Sequence, residues 1–181
     1  SKIDPSPGPD LFVYLDGTLI AGDIAEESLA RAARDPAALR AAIGAYATDG
    51  LSGLKHELTQ VVPTDVESLP YRQDVLDYIR SAKADGRRVI LATAADSAIA
   101  QAVADHLGVF DAVMASEPGR NLKGREKLSA IQEMAPDGFE YLGDSDADIP
   151  IWQAATRFGC VAPSPAARRW KDQHPDQITL D

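Results

Sequence analysis

Short apolar runs that alternate with amphipathic stretches fill the sequence from position 70 onward, and this alternation constrains the fold more than any other feature. The runs are mostly apolar, which predicts strands buried on both faces, and the stretches between them carry apolar residues at helical spacing. Strands and helices in alternation predict an α/β fold with a parallel sheet and right-handed crossovers. The predicted strands are 11–15, 89–93, 112–115, 139–142 and 159–161, and the predicted helices are 71–84, 96–107, 122–134, 148–155 and an amphipathic helix from Ser164 that ends in a frayed tail.

Residues 23–69 interrupt the alternation. The segment is Ala-rich and predicts three helices, at 24–34, 36–47 and 51–61, with an apolar pattern typical of helix packing. We interpret it as a helical insertion after the first strand. The predicted domains are therefore a core of 11–22 with 70–170 and a cap of 23–69.

Composition narrows the function classes. The 181 residues are 45% hydrophobic, enough for one domain with a sizeable core. A formal net charge of −10 argues against nucleic acid or an anionic membrane surface as a partner, and no apolar run approaches the roughly 18 residues needed to span a bilayer. The single cysteine, Cys160, permits no intrachain disulfide, so we expect a cytoplasmic protein in which this thiol is a buried structural group.

Polar residues follow several predicted strands at the points where ligands bind in open α/β sheets. They are Asp16-Gly17-Thr18, Thr93 and Gly143-Asp144-Ser145, with Lys123 in the loop before a helix. Each alone is typical of a turn, a helix cap or a solvated side chain. Together, in this order, they indicate a site that combines acids, a hydroxyl group and a lysine.

The acidic run at 143–148 has two interpretations. A calcium loop that begins at Asp144 would require Gly at its sixth position and Glu at its twelfth, where this chain has Ile149 and Ala155. The calcium interpretation is therefore excluded. The alternative is a Mg²⁺ ion reached directly by Asp144, with Asp148 in support through water or a hydrogen bond one helical turn later.

Four motifs in order resemble the haloacid dehalogenase superfamily over roughly residues 11–162. They are Val-Tyr-Leu-Asp-Gly-Thr-Leu (13–19), Leu-Ala-Thr (91–93), Asn-Leu-Lys-Gly (121–124) and Gly-Asp-Ser-Asp-Ala-Asp (143–148). The resemblance implies a Rossmann-like, doubly wound parallel sheet with a small helical cap inserted after the first strand. It also implies Mg²⁺-dependent phosphoryl transfer through an aspartyl-phosphate, on a small phosphorylated substrate.

The resemblance also implies roles for individual residues. Asp16 is expected to act as general acid and then base and to lend its backbone carbonyl to Mg²⁺, while Thr93 and Lys123 hold the phosphoryl oxygens. The expected metal residues are Asp16, Asp144 and Asp148, and the expected substrate-binding residues are Gly17, Thr18, Ala94 and Asn121.

Three segments, 91–96, 121–124 and 143–152, are also similar to the hydrolase-like domain found ahead of some UbiA-type membrane prenyltransferases. On that resemblance the chain is either the soluble part of a longer protein linked to a membrane prenyltransferase or a free-standing relative. The expected substrate is then a small phosphorylated metabolite or a prenyl-linked phosphate.

Position 14 departs from the superfamily pattern Asp-x-Asp-x-Thr, because Tyr14 stands where the nucleophilic aspartate is expected. A phenol with a pKa near 10 stays protonated at neutral pH and offers Mg²⁺ no anionic oxygen. We therefore expect poor phosphatase activity. Three explanations stay open: decay to a binding or regulatory module, a substitution in an active enzyme, and a tyrosyl-phosphate mechanism.

Two function classes follow from the sequence. The first is a phosphohydrolase with an impaired catalytic centre, and the second is a non-catalytic module that binds a phosphorylated ligand or a partner protein in the same cleft. A phospho-acceptor receiver domain is disfavoured by the insertion at 23–69. The histidines His56, His106 and His174 lack metal-ligand spacing and are expected at the surface or in packing, although His56 lies in the predicted cap, where substrate contacts would arise.

Overall fold

The computed structural model describes residues 7–22, 24, 30, 32–61, 65–174 and 178–180. Its strands are β1 (Asp10–Val13), β2 (Val89–Asp96), β3 (Ala112–Ser116), β4 (Phe139–Gly143), β5 (Arg157–Val161) and β6 (Ile178–Leu180). They form one parallel sheet in the order β3-β2-β1-β4-β5-β6. The chain builds one half of the sheet outward from β1 and then returns to build the other half. The predicted doubly wound α/β fold is confirmed.

Helices cover both faces of this sheet. They are α1 (Pro36–Val61), α2 (Gln73–Ala84), α3 (Ser97–Leu107), α4 (Arg125–Met134), α5 (Ile149–Ala154) and α6 (Pro165–Asp172). Because side chains alternate along a strand, Leu11 and Val13 of β1 join the core under α2 and α3, whereas Phe12 joins the core under α4, α5 and α6. Burial on both faces explains why the strands are mostly apolar.

The longest helix, α1, belongs to the insertion and changes direction at Gly50, where the backbone angle φ is 65°. This left-handed conformation suits glycine, so the predicted helices 36–47 and 51–61 are two arms of one kinked element. A separate small core of buried residues holds the arms together: Ala32, Ala38, Ala42 and Leu58. Most of the predicted helix 24–34 lies outside the described residues, and the boundaries of core and cap stay a prediction.

The chain segments that enter and leave the insertion run side by side. Ile20 forms an antiparallel bridge with Tyr71, and the backbone N–H of Arg72 donates to the carbonyl of Leu19 at 2.8 Å. Both segments lie next to the loop that follows β1. The insertion is thereby attached at the carboxyl edge of the sheet.

The frayed end predicted after the last helix is wrong for part of the tail. Helix α6 begins where expected, with the Ser164 hydroxyl accepting from the backbone N–H of Ala167. Later in the tail, however, the residues of β6 pair in parallel with β5. A three-residue edge strand carries too little periodic pattern to be recognised from sequence.

Composition led to two expectations, that the Cys160 thiol is buried and that no segment spans a membrane. Cys160 is fully buried, as predicted, and burial raises the pKa of its thiol to about 11. Across the described ranges, no helix combines the length and the apolar character needed to cross a membrane.

Candidate active site

The carboxyl ends of β1, β2 and β4 meet at one edge of the sheet. Val13 of β1 is in register with a residue of β2 on one side and of β4 on the other, so the residues that follow emerge from strands about 4.8 Å apart. Tyr14 comes from the middle strand, and Thr93 and Asp144 come from its neighbours. The fold thus gathers three of the predicted site positions.

The loop after β1 is locked to the loop after β4. Thr18 is fully buried, and its hydroxyl donates to Oδ1 of Asp144 at 2.9 Å. Gly17 has a positive φ of 79°, and a Cβ atom there would lie 2.8 Å from Cγ of Asp144. Position 17 therefore has no room for a side chain while Asp144 keeps this place, so both residues shape the acidic centre.

Asp16 lies between the acidic centre and the insertion. Its Oδ1 accepts the backbone N–H of Ile24 at 3.1 Å, at the start of the insertion. Its charge also raises the pKa of Asp144. A proton-transfer group placed here would touch both the reacting centre and the base of the cap.

Asp148 holds the loop after β4 in place through hydrogen bonds. Its side chain is buried, and Oδ2 accepts the backbone N–H groups of Asp144 at 3.0 Å and Ser145 at 3.1 Å. Oδ1 accepts the Tyr141 hydroxyl at 2.9 Å. Both carboxylate oxygens of Asp148 are therefore engaged in hydrogen bonds, two of them to the Asp144 loop, and its supporting role at a metal ion stays a prediction.

Asp144 is the acid with the most perturbed environment. Burial and then the Asp148 charge raise the pKa of Asp144 to about 6, against the hydrogen bond from Thr18, which lowers it. A divalent cation would relieve this crowding of negative charge. Mg²⁺ takes few carboxylates and keeps several waters, so the Asp144 and Asp16 carboxylates fit it as donors, with Asp148 in support.

The predicted metal residues do not form a ready-made cage. Within the described part of the chain, no group of three or more His, Cys, Asp or Glu side chains is placed to hold a metal ion by itself. The donor set of Asp16 and Asp144 suits an ion that keeps waters or phosphate oxygens in its remaining positions.

Thr93 and Ala94 lie in β2, just past the residues of this strand that pair with β1. Thr93 is fully buried, and its Oγ1 accepts the backbone N–H of Ala95 at 3.0 Å. An accepting hydroxyl keeps its own hydrogen for another acceptor, such as a phosphoryl oxygen. Ala94 is buried as well.

The lysine that the fold places at this centre is Lys127, which sequence analysis missed. Its Nζ donates to the Tyr141 hydroxyl at 3.1 Å, lies 4.0 Å from Oδ1 of Asp148, and sits 3.9 Å from the centroid of the Tyr14 ring. Only 4% of Lys127 is exposed, whereas Lys123 is exposed in the loop before α4. The structure brings Lys127, and not Lys123, into the cluster.

A sequence signal for Lys127 did exist. It lies four residues before Ile131, and both are buried on the inner face of α4. A lysine on the core-facing stripe of an amphipathic helix needs a buried partner, which marks it as a candidate site residue. Tyr141 gave no such signal, because an aromatic residue in a buried strand is typical of core packing.

Asn121 supports the loop that leads to α4. Its Oδ1 accepts the Ser116 hydroxyl at 3.2 Å, and the oxygen of Ser116 accepts the backbone N–H of Leu122 at 2.8 Å. These bonds fix the shape of the loop between β3 and α4. Asn121 is half-buried, and its side-chain oxygen bonds to Ser116.

Tyr14 is half-buried and packs against the core under α4. The ammonium group of Lys127 lies over its ring face in cation–π geometry, an interaction worth roughly 0.5–2 kcal/mol depending on desolvation. The ring therefore replaces part of the stabilisation that a carboxylate at position 14 would give the lysine.

Comparisons with known proteins agree with this geometry. The family model of haloacid dehalogenase-like hydrolases matches residues 12–153. Protein y4nM of Sinorhizobium fredii (strain NBRC 101917 / NGR234), described as uncharacterised, is 45% identical over 147 residues, which are 81% of this chain and 28% of that protein. The chain thus spans less than a third of this relative.

Solved structures share the fold at low identity. A Bordetella pertussis Tohama I protein of unknown function is 20% identical with a TM-score of 0.72, covering 95% of this chain and 97% of that one. A substrate-bound phosphoserine phosphatase is 15% identical with a TM-score of 0.64, covering 96% and 93%. The matched family model spans the strands and loops that build the site, and on that evidence the chain belongs to the haloacid dehalogenase-like hydrolase family.

Proposed function

We propose that this chain is a Mg²⁺-dependent phosphoryl-binding domain of the phosphatase type whose turnover is impaired by Tyr14. One observation carries the proposal: the buried ammonium of Lys127 lies 3.9 Å over the Tyr14 ring, where the family pattern calls for a nucleophilic carboxylate. The cationic side of the site is in place. The group that would attack phosphorus is a neutral phenol.

The other site residues supply the charged and hydrogen-bonding groups that would bind a phosphoryl group. Lys127 provides a positive charge for the phosphoryl oxygens, in the role assigned from sequence to Lys123, and Thr93 provides a hydroxyl donor. Asp144 and Asp16 would hold Mg²⁺, which when bound neutralises charge on the phosphoryl group. Gly17 lets the loop backbone approach this centre without a clash.

Turnover is expected to fail at the first chemical step. A nucleophile is weak at its free pKa unless a base or a lowered pKa activates it, and a phenol stays protonated at neutral pH. Asp16 would protonate a leaving group, yet no aspartyl-phosphate forms without an aspartate at position 14. Binding and chemistry are thus separable in this chain.

The test is phosphatase turnover of Tyr14→Asp and Tyr14→Phe beside the unmodified chain, on an aryl phosphate with Mg²⁺. We expect Tyr14→Asp to exceed the unmodified chain by at least about 10³-fold, because removal of a nucleophile from a cooperating set costs up to about 10⁶-fold. Tyr14→Phe is the matched control, since it keeps the ring under Lys127 and removes only the hydroxyl.

Two results would contradict the proposal. Equal turnover by the unmodified chain and Tyr14→Asp would mean that Tyr14 does not limit the chemistry. Activity in the unmodified chain that Tyr14→Phe abolishes would point to a tyrosyl-phosphate mechanism.

A second candidate function is a non-catalytic module that binds a phosphorylated ligand or a partner protein. Lys127, Tyr141 and Asp148 satisfy one another through hydrogen bonds without a carboxylate at position 14, which favours a site that is stable without catalysis. Binding of Mg²⁺ and phosphate by both the unmodified chain and Tyr14→Asp, with turnover by neither, would support this function over the first.

The proposal extends to the class of ligand, the cellular compartment and a linked membrane protein. The fold shared with a phosphoserine phosphatase supports a small phosphorylated metabolite as ligand, and the resemblance to UbiA-associated domains supports a prenyl-linked phosphate. We place the domain in the cytoplasm, beside a membrane prenyltransferase where the gene encodes one, with no nucleic-acid partner because of the net charge of −10. The natural gene on both sides of this segment tests that setting.

A further inference from the structure

His56 makes a contact that its sequence context did not indicate. It lies on the second arm of α1, and its Nδ1 is 2.8 Å from Oδ1 of Asp96. The other two histidines are exposed and stack on aromatic rings, His106 on Tyr71 and His174 on Trp170. His56 alone among the three reaches a buried carboxylate of another element.

Asp96 is held rigidly at the active edge of the sheet. It is the last residue of β2, its side chain is 1% exposed, and its Oδ2 accepts the backbone N–H of Ala98 to cap α3. It lies three positions after Thr93, at most roughly 10 Å of extended chain. A small phosphorylated molecule held at Thr93 spans that distance.

The Asp96 contact decides the chemistry of the His56 ring. A carboxylate at Nδ1 favours the tautomer in which Nδ1 carries the hydrogen, which leaves Nε2 as a hydrogen-bond acceptor. The His56 side chain keeps 38% of its surface exposed, although its partner is buried. Within the described residues, the Asp96 carboxylate is the hydrogen-bond partner of this ring.

The position of His56 suits the organic part of a phosphorylated ligand. The attacking position, Tyr14, follows β1 in the core, and in an in-line displacement the leaving oxygen points away from the attacking group. Helix α1 packs against β2 and α3, and its second arm reaches the end of β2 through the contact of His56 with Asp96. The substituent of a bound phosphate ester would therefore meet the insertion.

We infer that His56, oriented by Asp96, is a ligand-contacting residue whose Nε2 accepts a hydrogen bond from a hydroxyl or ammonium group on the organic part of a phosphate monoester. The inference rests on the proposed phosphoryl-binding function and adds the class of ligand. If His56 served only to tether the insertion to the core, its Nδ1 contact with Asp96 would be enough. The open ring edge gives the residue a second bond to make.

The test compares two ligands of equal size, 2-hydroxyethyl phosphate and propyl phosphate, which differ by a hydroxyl in place of a methyl group. Calorimetric titration with Mg²⁺ at pH 8 uses the unmodified chain, where turnover does not consume the ligand. We expect the hydroxyl-bearing ligand to bind roughly 3- to 10-fold more tightly, as one net hydrogen bond allows.

Two variants separate the contact from the tether. His56→Asn keeps a donor for Asp96 but places no acceptor at the position of Nε2, and His56→Phe removes both. Each variant is expected to abolish the preference for 2-hydroxyethyl phosphate over propyl phosphate. Each is also expected to bind inorganic phosphate with an affinity within about twofold of that of the unmodified chain. His174→Phe is the matched control on a remote histidine and is expected to change neither value.

The outcomes are distinguishable. If inorganic phosphate binds but the unmodified chain shows no preference, or if His56→Asn retains it, the inference about His56 is overturned and the proposed function stands. If the unmodified chain does not bind inorganic phosphate with Mg²⁺, the proposed function fails, and the inference fails with it.

Discussion

At the scale of single residues, Tyr14 is the position at which the site departs from the family pattern. Tyr14 stands in place of a carboxylate, yet the buried ammonium of Lys127 stays in the site because the ring face, Tyr141 and Asp148 all interact with it. An unpartnered buried ammonium would be costly, so these contacts explain how the site tolerates the substitution. The fold does not depend on the nucleophile.

The raised pKa of Asp144 predicts a specific dependence of stability on pH. Its pKa of about 6 in the folded chain exceeds the usual value near 4, so the folded state binds more protons between these pH values. The stability that this group contributes is present below about pH 4 and is lost as pH rises through 6. Without Mg²⁺, we expect a loss of about 3 kcal/mol in the free energy of unfolding from this group.

Urea unfolding at pH 4 to 7 in the presence of a chelator measures this effect, with Asp144→Asn as the comparison. The variant is expected to lack that part of the decline, and Mg²⁺ at pH 7 is expected to restore stability to the unmodified chain alone. Parallel pH profiles for both proteins would show that Asp144 is not the titrating group.

At the scale of elements, a buried ionic network joins α2, β4 and the turn between α2 and β2. Glu140 of β4 is fully buried and accepts from Arg87 at 2.7 Å and from the Tyr78 hydroxyl. Burial, followed by the bond to Glu140, raises the pKa of Tyr78 to about 12. Arg87 also donates to the carbonyl of Pro9, which fixes the segment before β1.

Removal of one partner from this network is expected to destabilise the whole domain. Arg87→Met leaves the Glu140 carboxylate buried without its main partner and is expected to cost roughly 3 kcal/mol in the free energy of unfolding. The double variant Arg87→Met with Glu140→Leu is expected to recover at least half of that loss. A cost below about 1 kcal/mol for the single variant, measured by urea unfolding, would show that Arg157, 3.6 Å from Glu140, suffices as a partner.

At the scale of the whole molecule, periodicity predicted the architecture and missed features that depend on distant contacts. The strands and helices from α2 onward are recognisable because each buries its own apolar pattern. The break between the predicted helices 36–47 and 51–61 is confirmed by the non-helical backbone at Gly50, but the sequence gives no information on how the two arms pack. Strand β6 forms because β5 offers an open edge, which no local pattern encodes.

The site was predicted in part for the same reason. Motifs identified Asp16, Thr93 and Asp144, because each lies at or near the carboxyl end of a predicted strand and the parallel topology then brings strand ends together. The lysine could not be chosen with the same rule, since Lys123 and Lys127 are only four positions apart in sequence and packing against Tyr141 shows which of them is buried.

The central claim, an intact phosphoryl site around Tyr14, is tested most directly by titration of inorganic phosphate into the chain with Mg²⁺. We compare the unmodified chain with Lys127→Met and with Lys123→Met, a matched change four residues away. The account predicts binding by the unmodified chain, at least roughly tenfold weaker binding by Lys127→Met, as expected for loss of a charged hydrogen bond, and unchanged binding by Lys123→Met. Absence of binding by the unmodified chain, or a loss confined to Lys123→Met, would contradict it.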